Sequence, residues 1–91
     1  MAQVIVTIKL MPENAETDLK HLENEANVKI QMFGGRIGKV EEEPIAFGLR
    51  ALKIIFIMDE SKGSTQPLED ELAKIKGVIN VDVMEVRRAL G

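Results

Sequence analysis

At 91 residues the chain suits a single domain over residues 1–91 and leaves no room for a second. Its 45% hydrophobic and 30% charged content can build a core and excludes a disordered tail. A net charge of -3 argues against a general nucleic-acid binder, which needs a cationic face, and the absence of cysteine excludes disulfide and thiol chemistry. The opening MAQVIVTIKLMP is apolar but alternates and is broken by Lys9 and Pro12, so it reads neither as a signal segment nor as a membrane span. The expectation is a soluble, cytoplasmic protein with no membrane partner.

From Val4 to Leu10 the pattern is period two: Val4, Val6, Ile8 and Leu10 share one side, and Ile5, Thr7 and Lys9 the other. Pro12 ends this strand by removing a ladder donor. From Thr17 the period changes. Leu19, Leu22, Ala26 and Ile30 recur at three and four residues, an amphipathic helix started by Thr17 or Asp18 and closed by Phe33 and Gly34-Gly35. Arg36 to Glu43 reads as a polar edge strand with only Ile37 and Val40 apolar. The segment LRALKIIFIM is the strongest strand, with Leu52, Ile54, Phe56 and Met58 on one face and a partly apolar opposite face, so it belongs in the centre of a sheet. After the polar loop DESKGS, Ser64 or Thr65 caps a second helix whose buried stripe is Leu68, Leu72 and Ile75. Gly77 then suits a helix end, and Val78 to Val86 is the last strand, with Ile79, Val81 and Val83 on one face and a slip of alternation at Met84.

The order β-α-β-β-α-β with two amphipathic helices fits an α+β, ferredoxin-like sandwich. Its four-stranded antiparallel sheet has two helices on one face and strands one and three in the centre. The other face carries Ile5, Ile55 and Ile57, more apolar than solvent contact requires, which points to a partner or an oligomer.

Constellations for covalent chemistry are thin. His21, the single histidine, stands beside the helix stripe with no second metal-type ligand and reads as a boundary residue. Glu41, Glu42 and Glu43, even with Asp59 and Glu60, match no calcium-loop spacing and read as a solvated edge. Gly34-Gly35 lacks the later glycine and lysine of a phosphate loop. Two features are left. Arg87 and Arg88 point to opposite faces and either keep the chain end soluble or aim a cation at an anionic group elsewhere. Phe47, in the connection after Pro44, is either a plug over the end of the sheet or an exposed anchor.

The segment EEPIAFGLRAL closely resembles the Pro-Ile-Ala/Gly-Phe-Gly motif of the elongation factor 1-beta family of exchange factors. VIVTIKLMPENAETDL and VDVMEVRRALG are similar to the opening and close of its archaeal branch, so the resemblance covers essentially the whole chain. It implies a ferredoxin-like domain that acts on the elongation factor 1-alpha GTPase, in its GDP-bound and nucleotide-free states, and promotes GDP release without covalent chemistry, a cofactor, a metal of its own or direct nucleic-acid contact. It further implies that Phe47 inserts into the partner's G domain, that Pro44, Ile45 and Gly48 shape its loop, and that Arg88, beside Arg87, reaches toward the partner's magnesium site. The eukaryotic pattern has lysine there and a shorter tail, where this chain ends Ala89-Leu90-Gly91. The N-terminal subunit-binding region of eukaryotic relatives has no counterpart, so the expectation is a monomer or weak homodimer. Two alternatives use the same fold. An RNA-binding module needs aromatics on the central strands, and a small-molecule regulatory domain usually has a glycine-rich turn after strand one.

Overall fold

The alternation at the start of the chain lets one strand bury aliphatic side chains on a single side, and β1 (Gln3–Pro12) does so: Val6, Ile8 and Leu10 are fully buried. The computed structural model describes residues 2–89; Leu90 and Gly91 of the expected tail lie outside the described residues. The elements that follow are α1 (Leu19–Phe33), β2 (Arg36–Pro44), β3 (Arg50–Asp59), a 3-10 turn (Glu60–Lys62), α2 (Gln66–Ala73) and β4 (Val78–Arg88). All pairings are antiparallel, and the strand order β2-β3-β1-β4 puts β1 and β3 in the centre, the ferredoxin-like α+β arrangement.

Each helix begins and ends for a local reason. Asp18 Oδ1 accepts from the backbone N–H groups of Lys20 and His21 at 3.1 and 3.2 Å, satisfying donors the first turn leaves orphaned. Thr17, the other candidate cap, instead accepts from the Asn14 N–H in the preceding turn. Gly34 closes α1 in the left-handed conformation at φ 105, and the Gly35 N–H returns to the Ile30 carbonyl at 2.8 Å. At α2, Thr65 holds the cap position, but its hydroxyl donates to Glu69 at 2.6 Å rather than capping the backbone. The helix stops at Ala73, so Ile75 is buried from the turn beyond it and not from the helix.

The core lies between the helices and one face of the sheet. Leu22, Ala26 and Ile30 of α1 and Leu68 and Leu72 of α2 pack on Val6, Ile8, Leu10, Leu52, Ile54, Phe56 and Met58. Gly35 belongs to this packing rather than only to a turn. A Cβ there would fall 2.7 Å from Ile30 Cγ2 and 2.9 Å from Phe56 Cδ2, both on wholly buried side chains. Gly35→Ala is therefore expected to destabilise the protein by about 1–3 kcal/mol through overpacking. A urea unfolding curve with a lower midpoint and unchanged slope would show it.

Both edge strands are irregular. In β2 the register against β3 shifts by one residue at Gly38. In β4 the register against β1 shifts at Met84, where the alternation slips, and again at Ile79. The second shift corrects the expectation that Ile79 shares a buried face with Val81 and Val83: it is the extra residue of the pairing and is 67% exposed. Such irregularities bend an edge and discourage pairing with another chain.

The sheet face away from the helices is partly open. Ile5, Ile55 and Ile57 are half-buried, and Thr7 between them is buried. Lys9 stands opposite Lys53, and Glu43 opposite Ala51, so the 3.0 Å Lys9–Glu43 ion pair reaches across β3 over the small side chain of Ala51, which is wholly buried. The hydrogen bond from Lys9, and then its charge, hold the Glu43 carboxyl below its ordinary range.

Candidate functional site

Pro44 and Arg50 are the last paired residues of the β2–β3 hairpin. Between them the Ile45 N–H donates to the Leu49 carbonyl and the Leu49 N–H to the Ala46 carbonyl, each at 2.9 Å, closing a tight turn around Phe47 and Gly48. Both central residues have positive φ, 53 for Phe47 and 79 for Gly48. That pair of signs is the one a type I′ hairpin turn requires, and it favours Asn-Gly or Gly-Gly. Gly48 is suited to it: an added Cβ would meet only Ala15 at 3.7 Å, so the glycine serves conformation and not space. Phe47 is unsuited. Among the described residues it is the one non-glycine at positive φ.

The side chain of Phe47 is 98% exposed. A plug over the sheet end would have to be covered, so the plug reading does not survive. Ile45, also exposed at 41%, flanks it. Behind the turn lies a polar recess of about 450 Å³ lined by residues including Asn14, Asp18, Lys20, Glu42, Gly48 and Arg50. Across its rim Arg50 Nη1 donates to Glu42 Oε1 at 3.1 Å. Sequence patterning pointed to the loop but could not say which way the ring faces, because the two positive φ values set that direction.

The two arginines stand elsewhere. On β4, Arg88 is opposite Val4 and shares its helix-side orientation, whereas Arg87 is opposite Ile5 on the other face. The Phe47 turn lies beyond the Leu10–Leu52 pair, and Arg88 stands opposite Val4 near the other end of β1. Leu10 lies six residue steps along the strand from Val4, roughly 20 Å at about 3.3 Å each, so the loop and the arginine occupy opposite ends of the sheet. Pro44, Ile45, Phe47 and Gly48 are brought together; Arg87 and Arg88 are not brought to them.

Arg88 is held by Glu60. Its Nη2 and Nε donate to the same carboxylate oxygen, Oε1, at 2.7 and 3.2 Å. That hydrogen bonding, and then the carboxylate charge, raise the already high guanidinium pKa. Arg87 has no ion-pair partner among the described residues. Glu60 had no signal in the sequence, since it lies 28 positions from Arg88 and meets it only through the sheet. Below the pair, Val4, Met58, Val86, Gly63, Ser64 and Thr65 line a second recess.

The other candidates keep their plain readings. The Glu41–Glu43 run is divided among separate cations: Glu41 with Lys39 at 3.3 Å, Glu42 with Arg50, and Glu43 with Lys9. His21 is exposed on α1, 4.0 Å from Glu25 one turn later. Among the described residues no helix is long and apolar enough to cross a membrane.

The fold defines the class as a ferredoxin-like α+β protein with an aromatic displayed on the hairpin of its β2 edge. It resembles the solved ACT domain from the GTP pyrophosphokinase of Chlorobium tepidum, with a TM-score of 0.62 at 18% identity over 90% of this chain and 99% of that one, a likeness of fold alone. The family model of the EF-1 guanine nucleotide exchange domain matches residues 5–89. Elongation factor 1-beta of Methanothermobacter thermautotrophicus is 41% identical over 90 residues, 99% of this chain and 100% of that protein. Elongation factor 1-beta of Methanosarcina acetivorans is 43% identical over 88 residues, 97% of this chain and 99% of that protein. The chain belongs to the EF-1 guanine nucleotide exchange domain family.

Proposed function

We propose that this chain, as a monomer or weak homodimer, promotes exchange of GDP for GTP on elongation factor 1-alpha by binding its G domain and weakening its hold on nucleotide and magnesium. The observation that carries this reading is Phe47, a fully exposed aromatic kept at positive φ at the tip of a hydrogen-bonded hairpin. A hydrophobic ring held in water in a strained conformation does nothing for the fold, and a partner supplies its use.

A GTPase holds GDP through phosphate contacts and magnesium. A protein that prefers the nucleotide-free state weakens GDP by as much as GDP weakens it. Accelerating release about a thousandfold means lowering the barrier by about 4 kcal/mol, which binding energy can supply without covalent chemistry. Phe47 and Arg88 stand at opposite ends of the sheet, so in this reading they grip separate patches of the partner: the ring anchors, and the guanidinium competes with magnesium for anionic groups. An RNA-binding reading loses support because Phe56, the aromatic on a central strand, is buried against the helices and unavailable for stacking.

The test is release of fluorescent GDP from the GTPase. Arg88→Ala is expected to slow the stimulated rate roughly tenfold, in the range of an interface hot spot, while Arg87→Ala changes it less than twofold. Equal effects of the two would show that only general charge matters. Normal exchange by Arg88→Ala would remove the cation from the mechanism.

A further inference from the structure

Arg88 is not a free cation on a flexible stem. Its backbone is fixed at the end of β4, where the Ala89 N–H donates to the Gln3 carbonyl at 2.9 Å. Glu60 is fixed from the other side. Its N–H donates to the Ala2 carbonyl at 3.0 Å, its carbonyl accepts from Gly63 at 3.1 Å, and Asp59 Oδ1 holds the turn by accepting from the Ser61 N–H at 2.9 Å. Both ends of the ion pair are thus tied to Ala2 and Gln3, where β1 begins.

The chemistry of the contact is asymmetric. A guanidinium has five N–H donors in a planar fork with two usable edges. Glu60 Oε1 takes the side edge, Nε and Nη2. The end edge, Nη1 with the second hydrogen of Nη2, makes no hydrogen bond among the described residues, and the side chain is 69% exposed. A lysine ammonium has no such division, since one compact charge would be shared between Glu60 and any external anion.

We propose that Glu60 is the positioning residue for Arg88: it occupies one edge of the guanidinium and fixes the other edge outward, toward a carboxylate or phosphate oxygen of the GTPase partner. The inference rests on the exchange function proposed above. An arginine suits this arrangement because its planar fork fixes one pair of donors outward when the other pair is held, whereas the three rotatable donors of a lysine ammonium have no fixed edge to aim.

The experiment is a double-mutant cycle read in GDP-release kinetics, with initial rates at several factor concentrations. Glu60→Ala is expected to lower the stimulated rate about fivefold, and to change nothing further when Arg88 is already alanine. Glu60→Gln, whose amide oxygen can accept the same two hydrogen bonds, is expected to recover most of the rate. Arg88→Lys is expected to fall at least as far as Glu60→Ala. Thermal midpoints should stay close to wild type, since a solvent-exposed ion pair contributes little to stability. Wild-type exchange by Glu60→Ala, or a Glu60→Ala loss that persists in full on the Arg88→Ala background, would overturn the positioning role while leaving the exchange function standing. Normal exchange by Arg88→Ala would likewise overturn the positioning role, by removing the cation from the mechanism, whereas failure of the wild-type chain to speed GDP release would overturn the exchange function on which it rests.

Discussion

Replacing Phe47 with alanine is expected to slow stimulated GDP release about thirtyfold, the equivalent of ~2 kcal/mol for a lost aromatic anchor, with the fold unaffected. The ring is 98% exposed, so its removal opens no cavity and uncovers no core. Glycine makes the sharper variant. Phe47 sits at φ 53, where a residue with a Cβ bears a steric cost of about 1–2 kcal/mol that glycine does not. Phe47→Gly is therefore expected to melt at or above the wild-type temperature, offset in part by the added freedom of the unfolded chain, and to lose as much exchange as Phe47→Ala. Stability and activity would then move in opposite directions at one position, the mark of a residue retained for binding. If either variant melted well below wild type while its folded fraction exchanged at the normal rate, the ring would be structural after all.

The same substitution at Phe56 should do the reverse. Phe56 is fully buried on β3, paired with Val6 on one side and Ile37 on the other, and it packs where Gly35 makes room for it. Phe56→Ala leaves a cavity that the surrounding sheet and helices cannot close, at a cost of about 3–5 kcal/mol. The total stability of a domain this size is about 5–14 kcal/mol, so roughly a fifth or more would be lost, and the thermal midpoint should fall by about 15–30 °C. GDP release per folded molecule should stay near wild type, because Phe56 reaches no surface. A midpoint within a few degrees of wild type would mean the core repacks far more freely than its burial indicates. Together the two phenylalanines separate binding from folding by one chemical change made at two places.

Much of this architecture was legible before any coordinates. Alternation in β1 and β3, the three-four stripe of α1 and the glycines after it are local consequences of side-chain periodicity and backbone freedom. Each matches the fold with boundaries shifted by a residue or two. The slip at Met84 was visible as broken alternation and corresponds to a register shift. Ile79 was misplaced because a second shift, nearer the start of β4, has no counterpart in the pattern: which residue of an edge strand is left unpaired depends on its partner, β1. Long side chains such as Lys9 reach across neighbouring strands, and that reach is invisible along the chain.

The sequence by itself determined the order and type of the elements, the hairpin that carries Phe47 and, through its motifs, the family, because periodicity, turn chemistry and motif spacing are all written along one dimension. Only the tertiary structure decided that the Phe47 ring stands in water, since exposure depends on what the rest of the chain leaves uncovered. Tertiary structure also decided that Arg88 faces the helix side with Arg87 turned away, a matter of β4 register across a shift at Met84. The meeting of Arg88 with Glu60, 28 residues earlier, required the sheet to close. The opposite placement of loop and arginine follows from antiparallel pairing, in which the two ends of β1 are the two ends of the sheet.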